Sequence, residues 1–518
     1  MKKISKIFVG LCLGLLLVSC NSYLDLQPIT EQTETQFYKT ETDAFQALVS
    51  VYDVLQWSAP KAQNVPFEVI SEQIGDCCYA GGSSANDVPF VVKMSKWQCD
   101  VDDPSFQALW YKYYYGIYRA NVFLEKVTAI PFESADKKAR FIAEAKFLRA
   151  NYYFDLVRLF GNVPLITKIL SSAETQALSQ TNPADVYAQI KTDLVDAIAG
   201  GLPNRSDIPA VEGGRVSKHA AEALLARVWL FYTGAYEKSD LAGLTKAQIT
   251  TYIEDVVKNS GASLLPDYAD LFKITNENNA ESIFEIQYST KSTWGDWGYR
   301  EGSEGNQAVI LWGIRDPGAT SPYASGWSFA PVRASLWNEF DATDTRRSVT
   351  LLNTTAEAVT YKAGYQNTGF FNKKFTALKA NEPADGSREL NFGNNYPSIR
   401  FADVLLMAAE LQLESNPANA QDYYSLVVKR AKGSAAVVPT VTKDLLMKER
   451  LLELALEGHR YWDLRRQGLN VAKTTIEKEN GIVDEEMKKT FDLKYNGLFP
   501  IPQYELTLCK QMNQNDGY

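Results

Sequence analysis

Residues 454–468, LALEGHRYWDLRRQG, bring His459, Asp463, Glu457 and three arginines, Arg460, Arg465 and Arg466, into one short stretch. A histidine followed four residues later by an aspartate has the makings of a general acid/base pair, or of half a metal site. The surrounding residues favour a packing role. On a helix, His459 shares a face with Leu452, Ala455 and Leu456, and Asp463 lies one turn beyond. The other charges have partners at i and i+3: Arg450 with Glu453, Glu457 with Arg460, Asp463 with Arg466. A metal centre needs more ligands, and the chain has only 2 histidines; the other, His219, sits in an apolar, Ala-rich stretch. The expectation is a satisfied histidine at a packing junction, fixed by Asp463 or a backbone carbonyl, among charges that form a helix surface and clamp helices together. No catalytic residue, metal ligand or cofactor is assigned.

The elements that must position these groups are mostly helical. ETDAFQALVSVYDVLQW (41–57) sets Phe45, Leu48, Val49, Tyr52 and Leu55 at helical spacing. Helices are expected over 104–128, 134–160, 183–199, 217–236, 398–415, 418–432 and 442–467. The GNVP that follows residue 160 supplies a Gly-then-Pro stop. Residues 60–100, broken by Gly, Pro, Ser and Asn, read as a long loop region. Paired helices with Ala on the contact face predict a mainly α fold: a tetratricopeptide-like helical-repeat scaffold with large loop-rich insertions. The middle of the chain, about 276–395, is rich in Gly, Asn, Ser, Thr and Trp. It carries too many aromatics for disorder, so a functional insertion is expected.

Composition narrows the function. The chain has 518 residues, of which 12% are aromatic, including 10 Trp and 28 Tyr, more than core packing alone calls for. The net charge of −9, with no basic run beyond the N-terminus, argues against nucleic acid and against docking on an anionic membrane surface. Cys77, Cys78, Cys99 and Cys509 are not spaced as a zinc site. Export would permit Cys99 to pair with Cys77 or Cys78, or the vicinal pair to close on itself.

Export is what the N-terminus predicts. MKKISK is a basic n-region, and IFVGLCLGLLLVS is an apolar core too short to remain as a membrane span. It ends at Leu17-Val18-Ser19-Cys20, which resembles a bacterial lipoprotein cleavage box. Residues 1–19 are then a signal peptide, Cys20 is the lipidated residue, and residues 20–40 are a polar tether. The mature protein is expected to be anchored to a membrane rather than embedded in one.

Several segments, in order, resemble the RagB/SusD family of starch-utilisation-type outer-membrane lipoproteins. They are the lipobox with YLDLQP after it, LWYKYYYGIYRAN (109–121), AEAKFLRANYYFDLVRLFGNVPLIT (143–167), YPSIRFADVLLMAAE (396–410), ERLLELALEGHRYWDLRRQG (449–468) and LFPIPQYELTLCKQMNQNDGY (498–518). The resemblance implies one SusD-like domain over 41–518. Its helical scaffold would span about 41–275 and 396–518, with ligand-binding insertions at about 60–103 and 276–395. It also implies a cell-surface, lipid-anchored protein of the outer membrane. Such a protein binds glycans without cleaving them and passes them to a TonB-dependent, SusC-like barrel. The alternatives are a peptide- or glycoprotein-binding member of the same family and a glycoside hydrolase.

A sugar offers C–H bonds on a ring face and hydroxyls around its rim. Trp or Tyr covers the first; Asp, Asn and Arg take the second. The loops offer this mixture twice: Trp97 with Asp76 and Tyr79, and Trp294, Trp297, Tyr299, Trp312 and Trp327 with Asp296 and Arg315. These ten are the expected glycan contacts. Trp110, Trp229 and Trp462 lie in helical patterns and are expected in the core. Gly81-Gly82-Ser83-Ser84 lacks the Lys and helix of a phosphate loop. The acidic loops have donors for a structural calcium, but no Asp/Asn series ending in Glu specifies one.

Overall fold

The computed structural model describes residues 37–57, 66–291 and 304–518. The expected signal peptide, Cys20 and most of the tether lie outside them. The fold is mainly α. Helix α1 (Glu41–Asp53) opens on a capping box in which Thr40 and Asp43 satisfy each other's backbone N–H. Two short helices, α2 (Phe67–Gln73) and α3 (Pro89–Ser95), occupy part of the stretch expected to be loop. Their buried faces, Val69, Ile70, Val91 and Met94, are too short a pattern to show a period. Helix α4 (Pro104–Lys126) begins where Asp103 accepts from the Ser105 N–H, and α5 (Ala135–Phe160) where Ser134 accepts from Lys137. The two pack closely at Gly116, where a Cβ would lie 2.5 Å from the Tyr152 ring.

The array continues with α6 (Pro183–Ala199), α7 (Lys218–Ala235) and α8 (Lys246–Asn259). Helix α8 is not among the expected elements, although Ile249, Ile253 and Val256 form its buried stripe. The chain then leaves the array and returns at α9 (Phe401–Gln412), which packs directly on α8, followed by α10 (Pro417–Lys432). At the base of this excursion, strand β1 (Ser282–Ile286) pairs antiparallel with β4 (Tyr396–Arg400). A small hairpin, β2 (Leu351–Asn353) with β3 (Phe370–Asn372), lies inside it.

The helix expected over 442–467 is two helices, α11 (Lys443–Leu454) and α12 (Arg460–Arg465), followed by α13 (Leu469–Ile476). Leu456 at φ 66° and Gly458 at φ 79° break it, because a left-handed backbone cannot continue a right-handed helix. No helix among the described residues is long and apolar enough to cross a membrane. Cys77, Cys78, Cys99 and Cys509 are buried, unpaired thiols.

Two cores result. The larger belongs to the helical array. The smaller gathers Val69, Cys78, Trp312, Phe329, Leu351, Phe375 and Leu456, residues of the insertion and of the loops beneath it. A buried charge network joins the excursion to the array. Arg400 reaches Glu457 at 2.7 and 2.8 Å, Glu281 at 2.7 Å and Glu453 at 3.0 Å. Arg430 adds bonds to Glu281 and Glu453. Arg346, from the insertion, holds Asp344, Glu449 and Glu453. Lys374 donates to Glu457 at 2.6 Å, and burial lowers its pKa to about 8. Removing one member of such a network leaves buried charge uncompensated. Arg346→Met is expected to cost about 3–5 kcal/mol, seen as a lower thermal midpoint. A shift no larger than that of the exposed-pair control Lys168→Met would refute this assignment.

Candidate functional site

The break at Ala455–Gly458 removes the local pairings expected for the 454–468 stretch. Glu457 turns to Arg400 and Lys374, and Arg460 pairs with Asp76 at 2.6 Å. Arg450 bonds Asp463 at 2.9 Å and Asp403 at 2.6 Å rather than Glu453. Only Arg466 with Asp463, at 2.8 Å, follows the i,i+3 expectation, and Arg466 also grips Glu410. Arg227 of α7 joins at Asp403, so α7, α9, α11 and α12 meet at one buried set of charges. These groups lie in the interior, not on a helix surface. Both Asp463 oxygens are taken by arginine, and neither bonds the His459 ring. Burial, with Arg227 beside it, lowers the His459 pKa to about 3, so the ring is neutral near pH 7. A neutral histidine beside a committed aspartate is no acid/base pair.

His219, Glu222 and Asp255 lie close enough to share a cation. The chemistry does not fit one. The His219 Nδ1 accepts the Arg205 N–H at 3.1 Å, so in the neutral ring Nε2 carries the proton and has no lone pair to offer. The Lys218 ammonium already sits 2.7 Å from Asp255. Burial, with Asp255 nearby, raises Glu222 to about 8.

The two loop regions expected to bind ligand do meet. Residues 77–82 run antiparallel to 328–333: Tyr79 N–H donates to Pro331 O, Ala330 to Ala80, Gly82 to Ser328 and Arg333 to Cys77, at 2.8–3.0 Å. Gly81, at φ 73°, permits this approach, since a Cβ there would lie 2.3 Å from the Ser328 oxygen. Gln366 accepts from the Ala80 and Gly81 N–H groups. From below, Lys489 donates to the Gly75 and Cys78 carbonyls at 2.8 and 2.7 Å. The turn Ser83–Asp87 is exposed above this platform. There Asp87 accepts from Ser83 N–H at 2.7 Å and from Arg315 at 3.1 Å, and Arg315 also donates to Ser328 Oγ. Tyr365 is half-buried beside this platform, where its N–H donates to the Gly82 carbonyl, and Trp327 is half-buried with its ring packed against the smaller core.

Four expected contacts are corrected. Trp97 is 3% exposed; it stacks on Phe499 with centroids 5.0 Å apart and donates to the Ile74 carbonyl. Its expectation rested on polar neighbours in sequence, whereas the burying rings come from the last 60 residues. Trp312 is 1% exposed in the smaller core. Burial alone would raise the pKa of Asp76, but Arg460 and Lys478 outweigh it and hold the group well below the carboxylate range. The buried Tyr79 hydroxyl bonds Glu479, and burial pushes it up to about 12. Trp294, Trp297, Tyr299 and Asp296 lie outside the described residues. That leaves Arg315 at the platform and Trp327 half-buried against the smaller core. Asp87 and Tyr365 join them; the sequence signal for Tyr365 was a ring set among turn-forming residues, KAGYQNTG. Trp110, Trp229 and Trp462 are buried as expected.

Comparison with known proteins gives the family and the fold. The profile described as "SusD family" matches residues 347–518, and that described as "Starch-binding associating with outer membrane" matches residues 22–230. A solved laminarin-binding SusD-like protein is 34% identical, with TM-score 0.81 over 93% of this chain and 100% of that one. The chain belongs to the SusD family. Surface glycan-binding protein A from Bacteroides thetaiotaomicron, solved with laminarihexaose, is 28% identical, with TM-score 0.82 over 92% of this chain and 100% of that one. A SusD-like protein of Formosa agariphila is 28% identical over the full length of both chains. The tetratricopeptide-like helical array is thus the SusD fold.

Two outcomes are expected. Trp97→Ala should cost about 3–5 kcal/mol of stability, as large core deletions do; an unchanged melting temperature would mean that the ring is not packed. The unfolded chain protonates His459 near 6.5 and the folded protein near 3, so stability falls as pH drops through that window. His459→Gln should therefore flatten the acid limb of a melting-temperature profile, and an unchanged limb would show that the ring titrates normally.

Proposed function

We propose that this SusD-family chain is a non-catalytic glycan-binding lipoprotein of the outer membrane. Lipid on Cys20 anchors it at the cell surface. Residues 41–518 act as one unit, and the loop face captures oligosaccharides and passes them to a TonB-dependent barrel. The observation that carries the reading is the joining of the two insertions at Ser83–Asp87, Arg315 and Trp327. Asp87 and Arg315 form a hydrogen-bonding rim there, and the half-buried rings of Trp327 and Tyr365 are proposed to cover the sugar's C–H face. Trp294, Trp297, Tyr299 and Asp296 belong to the same insertion and are proposed as further contacts. A hydrolase needs two carboxylates across the scissile bond. Here Asp87 is engaged by Arg315, and the 454–468 carboxylates, Glu457 and Asp463, are buried in ion pairs. The laminarin-binding relatives support a glucan of that kind as the first ligand to test.

Residues 21–518 titrated with laminarin and starch by calorimetry should show saturable binding to at least one, with no new reducing ends. Arg315→Ala, Trp327→Ala and the double change Trp294→Ala/Trp297→Ala should each weaken it by about tenfold or more. Full affinity in all three variants would overturn the assignment of this face. Release of reducing ends would overturn the non-catalytic reading.

A further inference from the structure

We infer that a second cleft, formed where α5, α7 and α12 end and α13 begins, binds a small oxyanion, a carboxylate or sulfate such as an acidic sugar carries. The cleft holds about 670 Å³ and shares no residue with the loop face, so the inference does not rest on the glycan reading above. That volume suits one or two sugar residues.

Two independent features point to a negative ligand. The first is Arg465, which lines the cleft yet is only 8% exposed. Its neighbours Arg460 and Arg466 each hold a carboxylate. Arg465 pairs with none among the described residues. Its Nη1 donates to the Ala235 carbonyl at 3.1 Å, and among the described residues no acceptor meets its other two nitrogens. Buried guanidinium groups are rarely left without a counter-ion, because desolvating the charge is costly. The second feature is the N-terminus of α13, whose first residues line the same cleft. It starts from Gly468 at φ 111°, with no side-chain cap and no acidic residue in its first turn. The first bond of the helix runs from Ala472 N–H to Gly468 O, and the Leu469, Asn470 and Val471 N–H groups meet no acceptor among the described residues. A helix N-terminus with free N–H groups favours an anion.

One group opposes this charge: Glu237, exposed on the rim. The Tyr236 ring and the exposed amides of Asn470 and Asn496 also line the cleft and suit the ring face and hydroxyls of a sugar bearing the anion.

The test titrates residues 21–518 at low ionic strength with sodium sulfate, sodium glucuronate and, as a neutral control, glucose. Sulfate and glucuronate should bind and glucose should not. Glucuronate binding more tightly than sulfate would assign the site to an acidic sugar; equal binding would assign it to the oxyanion alone. Arg465→Gln should weaken both by about tenfold or more, since it removes a charge-assisted donor. Val471→Glu places a carboxylate on an exposed position of the α13 first turn and should compete with the ligand without touching the core. It also keeps the test decisive should Arg465→Gln fail to fold. Glu237→Gln should tighten binding, and laminarin affinity should be unaltered in all three variants. If neither anion binds the parent protein, or if Val471→Glu binds both as the parent does, the inference is wrong.

Discussion

Glu453 accepts from Arg346, Arg400 and Arg430, three arginines that reach it from separate parts of the chain. Arg400 stands at the end of β4, Arg430 on α10 and Arg346 in the mid-chain insertion, while Glu453 closes α11. Burial alone would keep Glu453 protonated, but the three cations outweigh it and hold it far below the carboxylate range. A network of this kind adds little net stability over a well-packed apolar joint, because every charge in it has been desolvated. What it adds is exclusivity. A shifted insertion would bury unpaired charge, so one seating on the array is strongly preferred.

The loop face depends on that seating. Residues 77–82 come from the N-terminal half and 328–333 from the insertion, and their pairing needs both supports in place. Arg460 and Lys489 fix the first from beneath, through Asp76 and the carbonyls of residues 75 and 78. Gln366 also holds the first, at Ala80 and Gly81, while the hairpin of β2 and β3 secures the second through the Phe370 carbonyl, which accepts from Val332 N–H. The exposed turn above can then present Asp87 to Arg315 of the insertion. Residues that looked functional in sequence, Asp76 and Tyr79, turn out to be struts for the exposed residues beside them.

The 454–468 stretch shows how charge density misleads in either direction. Its chemistry-bearing groups are neither an active site nor a solvated surface. Most are counter-ions that join distant parts of the chain, and their partners Asp76, Lys374, Arg400 and Glu410 lie 56 to 384 residues away. Arg465 is the exception in the same stretch, buried yet without a carboxylate. No pattern in the sequence distinguishes it from Arg466 next to it; only the packing around each guanidinium does.

The helical scaffold was legible from sequence because its determinants are local. Apolar residues at helical spacing, Ser, Asp and Asn caps, and the Gly-Pro stop after Phe160 each act within a few residues. Hence α4, α5, α6, α7 and α10 fall within two residues of expectation. That the middle of the chain leaves the helical array was also legible, since long Gly- and Asn-rich stretches cannot form a repeat core. Two things escaped. The break between α11 and α12 needs a left-handed Leu456, which local periodicity does not foresee. The fate of each tryptophan depends on rings remote in sequence: Trp97 and Trp327 both sit among polar neighbours, yet Phe491 and Phe499 close over the first, while the second stays half-exposed. Local periodicity and capping determine where helices form. Which side chains face a ligand is decided by what the rest of the chain covers, and only the tertiary fold sets that.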